Sequence, residues 1–134
     1  QPWPLTLRMV AAQNDRNQVS RILDAYIRGH PANVEAMALL AEDCATRGDW
    51  KRAAVLLDHA IANGMGRAPS ILATRSTVAT RLGDMETARK LAFDAYRLQP
   101  MNRIAIEALI AALPSSEAVK KGQLQSKLRR LQAG

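Results

Sequence analysis

The sequence GDWKRA at residues 48–53 recurs 35 residues later as GDMETA at residues 83–88. Each copy is followed, seven positions after its alanine, by a second alanine, Ala60 in the first copy and Ala95 in the second. A period of this length is typical of stacked helical hairpins, because one hairpin cannot bury its own apolar face and needs a neighbour. The repeat therefore predicts an array of helical hairpins.

The residues at the start of each copy predict where helices end and begin. Gly48 and Gly83 can end a helix, because glycine adopts the left-handed conformation at little cost. Asp49 and Asp84 can each cap the following helix by accepting a backbone N–H. Asn33 and Asn102 are predicted to cap two further helices. Apolar periodicity predicts eight helices, at residues 4–13, 16–29, 34–47, 50–63, 69–82, 85–98, 102–113 and 116–132.

The composition favours an all-α fold. Apolar residues make up 48% of the chain and aromatic residues only 4%, so the core is expected to consist of alanine and aliphatic side chains. Alanines spaced by seven lie on one face of a helix, where they allow two helices to cross closely. No run approaches the roughly 18 apolar residues that a membrane-spanning helix needs, and we expect no membrane insertion.

Residues 34–102 resemble tetratricopeptide repeats. The GDWKRA segment with Leu57 and Ala60 looks like the second half of such a repeat. Met37, Leu40, Ala41 and Cys44 stand where the family usually has Trp, Leu, Gly or Ala, and Tyr. The second copy matches at Leu72, Ser76, Ala79, Gly83, Ala88, Ala95 and Pro100.

The resemblance implies a right-handed α-solenoid of about four hairpins, in which the first helix of each hairpin lines a concave groove. Residues 1–134 would form one domain, with clear repeats at 34–68 and 69–102 and degenerate ones at 4–33 and 103–132. The last helix has an apolar stripe of Leu124, Leu128 and Leu131 opposite its basic residues, which is typical of a capping helix.

The helix predicted at 69–82 is unusually polar for an interior element, and Arg75 stands where the family normally buries a leucine. One interpretation is a weakly packed helix that faces solvent. The other is a hydrogen-bonding groove wall that suits an extended polar or acidic peptide. The residues predicted to bind a partner in this groove are Arg75, Arg81, Thr74, Thr77, Ser70, Glu42, Glu35 and Glu107.

The net charge of +7 is confined to the second half of the chain. Residues 1–66 have seven basic and seven acidic side chains, whereas residues 67–134 have twelve and five, and 12 − 5 = 7. A basic surface is predicted at Lys120, Lys121, Lys127, Arg129 and Arg130. It suggests an alternative function, the binding of nucleic acid or another polyanion. Single-strand binders need exposed aromatic platforms, however, and Phe93 and Tyr96 are predicted to pack between hairpins.

The sequence contains no pattern that predicts catalysis, a metal site or a cofactor. His30 and His59 are isolated from other ligand-type residues, and no hydroxyl nucleophile has a base at motif spacing. We therefore expect a non-catalytic protein–protein interaction scaffold that binds an extended peptide or a partner protein in the groove. Nucleic acid is the less favoured partner. Self-association is a third hypothesis, because Leu5, Leu7, Met9 and Val10 of the first hairpin would be exposed.

Overall fold

The computed structural model describes residues 21, 22, 25, 27–30 and 33–133. The helix predicted at 4–13 lies outside the described residues, and the described positions of the one predicted at 16–29 are helical, namely 21, 22, 25 and 27–29. Six further helices follow: α1 Val34–Thr46, α2 Trp50–Ala60, α3 Pro69–Arg81, α4 Met85–Leu98, α5 Arg103–Ala112 and α6 Ala118–Ala133. The described part of the chain contains no strand, and the predicted all-α fold is confirmed.

The structure differs from the sequence prediction at two connections, the one after α2 and the one before α6. Helix α2 ends in one widened turn, Ile61–Met65, in which Asn63 and Gly64 leave helical geometry and Gly64 has φ +119°. The Asn63 amide donates to the His59 carbonyl at 2.7 Å and closes this end of the helix. A single 3-10 turn, Ser115–Glu117, precedes α6.

Side-chain caps begin four of the six helices, as predicted. Asn33 and Asn102 accept the backbone N–H of Ala36 at 3.0 Å and of Ala105 at 3.1 Å. Asp49 accepts from Arg52 at 3.4 Å, and the equivalent aspartate, Asp84, accepts from Thr87 at 3.2 Å. Each bond satisfies a backbone donor that the first turn of a helix leaves without an intrahelical partner.

The two repeated glycines end α1 and α3 in the same way. Gly48 and Gly83 have φ of +83° and +82°, as the sequence predicted. The residue after each glycine donates its N–H to a carbonyl of the last helical turn, Asp49 to Cys44 at 2.8 Å and Asp84 to Ala79 at 2.9 Å. This is the Schellman arrangement, and it lets one helix end and the next begin within three residues.

The chain forms two compact units, residues 1–65 and 66–134. In the first unit α1 packs against α2, and the widened turn contacts both helices. Its core contains Ala36, Met37, Ala38, Leu40, Ala41, Cys44, Ala53, Ala54, Leu57 and Ala60. The organisation of the whole chain as one domain of four repeats stays a prediction.

In the second unit α3 packs against α4 and α5, α4 packs against α5, and α5 packs against α6. The repeated alanines are fully buried in both units, with Ala53, Ala60, Ala88 and Ala95 all 0% exposed. Their burial shows that this face of α2 and of α4 lies in the core, and the close crossing of helices at these positions stays a prediction. A larger side chain at such a crossing would have to push two helices apart.

Helix α3 is well packed, so the interpretation of it as a weakly packed, solvent-facing helix is wrong. It packs against α4 and α5, and five of its apolar residues are buried: Ile71, Leu72, Ala73, Val78 and Ala79. Ser76, which belongs to the polar cluster in the sequence, is only 1% exposed. Its hydroxyl donates to the Ala88 carbonyl of α4 at 2.7 Å, and this bond compensates for the burial of the polar group.

Candidate functional site

Helix α3 leaves one stripe of its surface accessible. Ser70, Thr77 and Arg81 are exposed and Thr74 is half-buried, at spacings of three and four residues that place them on one face. We call these four residues the α3 stripe. Helix α5, which packs against α3, has its own exposed positions at Ile104, Glu107 and Ala111. Five of the predicted groove residues are therefore accessible on two adjacent helices of the second unit: Ser70, Thr74, Thr77, Arg81 and Glu107.

The remaining acidic groove residues occupy equivalent positions in the first unit. Glu35 and Glu42 are exposed on α1, and each precedes its counterpart, Ser70 or Thr77, by the 35-residue period. The period is preserved because the residues that begin α1 and α3, Asn33 and Ala68, are also 35 positions apart. Their participation in one groove with the α3 stripe stays a prediction.

Arg75 differs from the other groove residues because its side chain is buried, at 9% exposure. Its charge nevertheless acts on an exposed carboxyl group, that of Asp84. The pKa of Asp84 lies below its ordinary value, chiefly because of hydrogen bonds from the Thr87 side chain and backbone, with a smaller contribution from the Arg75 charge. Desolvation opposes these effects. Little of the Arg75 side chain is therefore accessible to a partner, although its charge still acts on Asp84.

The threonines of α3 donate their hydroxyl protons to the backbone of their own helix. Thr74 donates to the Ser70 carbonyl at 2.8 Å and Thr77 to the Ala73 carbonyl at 3.2 Å. A hydroxyl has one proton and two lone pairs, so these oxygens retain acceptor capacity but no proton for a partner. On α5, Glu107 lies 3.5 Å from the Arg103 guanidinium in an exposed ion pair.

The predicted basic surface on α6 is divided in the structure. Lys120, Arg129 and Arg130 are exposed, whereas Lys121 and Lys127 are half-buried. The ammonium of Lys127 donates to the Tyr96 hydroxyl at 3.0 Å and lies 4.8 Å from the centre of the ring.

Lys120 also faces α4, because its ammonium lies 5.7 Å from the centre of the Phe93 ring. The prediction that all five basic residues lie on the outer side of α6 is therefore wrong. The apolar stripe of α6 is only partly covered, because Leu124 is buried but Leu128 and Leu131 are half-buried. Basic side chains of α6 therefore lie beside this stripe, close to α4.

A pocket of about 370 Å³ lies among α4, α5 and α6. Its lining consists of Phe93, Tyr96, Leu109, Lys120, Gln123, Leu124, Lys127 and Arg130. Sequence reasoning missed this pocket. Two pairs of pocket residues share a helix face and could have indicated the site: Phe93 with Tyr96 on α4, and Lys120 with Lys127 on α6. Nothing in the sequence indicated, however, that the two lysines of α6 would lie over the two rings of α4.

Among the described residues, no group of three histidine, cysteine, aspartate or glutamate side chains lies close enough together to hold a metal ion. His30 and His59 are both exposed. None of the helices in the described part of the chain has the length and apolar character needed to cross a bilayer.

No protein-family model matches this sequence, and a search of curated proteins finds no match. Solved structures do match. A double mutant of MamA from strain RS-1 has a TM-score of 0.86 at 15% identity, over 99% of this chain and 76% of that one. MamA from Desulfovibrio magneticus RS-1 has a TM-score of 0.79 at 17% identity, over 95% of this chain and 75% of that one. A mutant of the Thermobaculum terrenum O-GlcNAc transferase has a TM-score of 0.71 at 26% identity, over 82% of this chain but only 21% of the transferase.

The fold is that of the tetratricopeptide-like helical solenoids. MamA is a protein of tetratricopeptide repeats, and the matching part of the transferase is its tetratricopeptide domain. The sequence resemblance at residues 34–102 is thereby confirmed at the level of the fold.

Proposed function

We propose that this chain is a non-catalytic protein–protein interaction scaffold whose α3 stripe, with Glu107 of α5, binds an extended peptide segment of a partner. The observation that supports the proposal is that α3 and α5, which pack against each other in a tetratricopeptide-like fold, each have accessible polar residues. Glu35 and Glu42 occupy the equivalent face of α1, and we include them among the partner-binding residues.

The chemistry of the α3 stripe specifies how a peptide would be held. The hydroxyl oxygens of Thr74 and Thr77 would accept hydrogen bonds from peptide backbone N–H groups, because their own protons are donated within the helix. Arg81, at the end of the stripe, would pair with a carboxylate of the partner. The buried charge of Arg75 favours an acidic segment at this place without direct contact.

A random-peptide display selection on the immobilised chain would test this function. We expect it to enrich peptides that share an acidic residue. Replacing Arg81→Glu should weaken their binding about tenfold or more, because it removes a charge-assisted hydrogen bond and adds repulsion.

The matched control is Lys90→Glu, which makes the same change of charge at an exposed position of α4. It should leave the affinity of the selected peptides within about twofold, which corresponds to less than roughly 0.5 kcal/mol. Equal losses in the two variants, or a selection that enriches no related peptides, would contradict binding at the α3 stripe.

The alternative, binding of nucleic acid by the basic surface, receives less support. Two of its five cations, Lys120 and Lys127, face aromatic rings of α4. The rings that these cations face, Phe93 and Tyr96, are half-buried, whereas single-strand binders need exposed rings on which bases stack. We therefore favour a protein partner.

A further inference from the structure

We propose that the pocket among α4, α5 and α6 is a second binding site, which takes an apolar carboxylate: a carboxylate group attached to an aromatic or aliphatic body about the size of one amino-acid residue. The pocket lies wholly within the second unit. Its volume of about 370 Å³ lies at the lower end of the range of small-ligand sites.

The inner part of the pocket is apolar. Phe93 of α4, Leu109 of α5 and Leu124 of α6 line it, so three different helices contribute to the same floor. Leu109 and Leu124 are buried and Phe93 is half-buried. Because Leu109 and Leu124 are already buried, a ligand body in the pocket would remove apolar surface from water mainly at Phe93 and on the ligand itself. This burial stabilises binding by roughly 25 cal/mol per Å² of area removed from water.

The charged part of the pocket is entirely cationic. The described residues that line it include Lys120, Lys127 and Arg130 and no carboxylate. Lys127 contacts the neutral hydroxyl of Tyr96 at 3.0 Å, and Glu117, the partner of Lys120 at 3.9 Å, is an exposed residue outside the lining. An anion that enters would therefore meet three positive charges, of which the one on Lys120 is shared with Glu117. Arginine binds carboxylates through two parallel hydrogen bonds, a geometry that Arg130 can offer.

The apolar floor and the cations together favour a ligand that has both an apolar body and a negative charge over a ligand that has only one of them. A small inorganic anion would leave the apolar floor uncovered, and a neutral apolar molecule would bring no counter-charge to Lys127 and Arg130, which have no acidic residue beside them in the pocket lining. The site also differs from the proposed peptide surface. It uses Leu109, on the buried side of α5, whereas that surface uses the exposed Glu107.

The test is an NMR titration of the full chain with 3-phenylpropionate. We expect saturable shifts of the Gln123 side-chain amide and of the Leu109 and Leu124 methyl groups. The amide of the same acid, 3-phenylpropanamide, and inorganic phosphate should each bind at least about tenfold more weakly, since each lacks one half of the recognised chemistry.

Two adjacent arginines provide matched variants. Both are exposed, but Arg130 lines the pocket, whereas Arg129 lies outside it and donates to Ser126 of the same helix at 3.0 Å. Arg130→Gln should weaken 3-phenylpropionate binding about tenfold, and Arg129→Gln by no more than about twofold, although both remove one positive charge. An unchanged amide spectrum away from the pocket would confirm that both variants are folded.

A pair of tetrapeptides ending in phenylalanine, one with a free carboxylate and one amidated, would identify the source of the ligand. Tighter binding of the free acid than of 3-phenylpropionate would assign the site to the C-terminus of a partner chain. Binding of 3-phenylpropionate alone would assign it to a small molecule. The proposal is overturned if the pocket signals do not shift or if the neutral amide binds as well. Displacement of the probe by single-stranded oligothymidine, with a steep salt dependence, would overturn it in favour of a nucleic-acid site.

Discussion

Gly83 has a left-handed backbone conformation and Gly122 a helical one, although an alanine side chain would find open space at both. Gly83 ends α3 with φ +82°, a conformation that costs an L-residue about 1–2 kcal/mol. Gly122 lies inside α6, where glycine is less favourable than alanine by roughly 1 kcal/mol. We expect Gly83→Ala to lower the free energy of unfolding by about 1–2 kcal/mol and Gly122→Ala to raise it by roughly 1 kcal/mol.

Urea denaturation followed by far-UV circular dichroism would measure both changes. Gly48→Ala, at the equivalent position with φ +83°, should reproduce the effect of Gly83→Ala. A gain in stability at both Gly83 and Gly122 would show that lost flexibility of the unfolded chain, rather than the left-handed conformation, determines the result.

Single residues also mark the limit of what the sequence predicts. The roles of Gly48, Gly83 and the four helix caps follow from local rules, and all were predicted. The role of Ser76 could not be, because its hydroxyl bonds to Ala88, twelve residues away on a different helix. Its burial depends on how α3 and α4 cross, and the sequence around Ser76 contains no record of that crossing.

Helix α3 begins less favourably than α1 and α5. Its first residue is preceded by Ala68, which has the extended backbone of a capping residue but makes no side-chain bond to the helix. We expect Ala68→Asp to raise the free energy of unfolding by about 1 kcal/mol, because the carboxylate can accept a backbone N–H and favours the positive end of the helix dipole. Ala68→Lys, which places no acceptor there, should give no gain.

Thermal denaturation of these variants beside Asn102→Ala would check the argument. Removal of the Asn102 cap should cost about 1 kcal/mol, similar in size and opposite in sign to the gain at residue 68. A gain from the lysine variant as large as that from the aspartate would refute the capping explanation.

At the level of helices, periodicity and turn chemistry predicted existence and boundaries closely. The predicted helix at 85–98 coincides with Met85–Leu98, and that at 34–47 ends one residue beyond Val34–Thr46. The widened turn at Ile61–Met65 was missed, because Gly64 was assigned no conformational role. The pocket was missed for a different reason: its floor combines three helices, and no local pattern specifies which side of α6 meets α4.

The net charge of the whole molecule belongs to one of its two units. Residues 1–66 balance, and residues 67–134 hold the entire excess of +7, with the α3 stripe and the pocket both among them. An acidic partner would therefore be drawn towards the second unit by long-range electrostatics, an effect that salt weakens.

Self-association of the whole chain stays a prediction, since Leu5, Leu7, Met9 and Val10 lie outside the described residues. We expect sedimentation velocity to show a mass that rises with protein concentration, because apolar side chains that a repeat leaves uncovered tend to pair. Leu5→Ser combined with Leu7→Ser should restore the monomer.

The control for this prediction is Val55→Ser, which removes an apolar side chain that is 69% exposed on α2. It should leave the sedimentation behaviour unchanged. A wild-type chain that sediments as a monomer at high concentration would end the hypothesis.

The hydrogen bonds of Thr74 and Thr77 to their own helix have a consequence for how selective the chain can be. A surface that presents lone pairs would recognise backbone N–H groups, which every residue except proline possesses. Such a surface would not discriminate among most side chains. Discrimination among client proteins would then depend on a single acidic anchor and on whether the client's segment is unfolded and accessible. Such a scaffold would exchange many clients at modest affinity, and the relative abundance of those clients would decide which one occupies it.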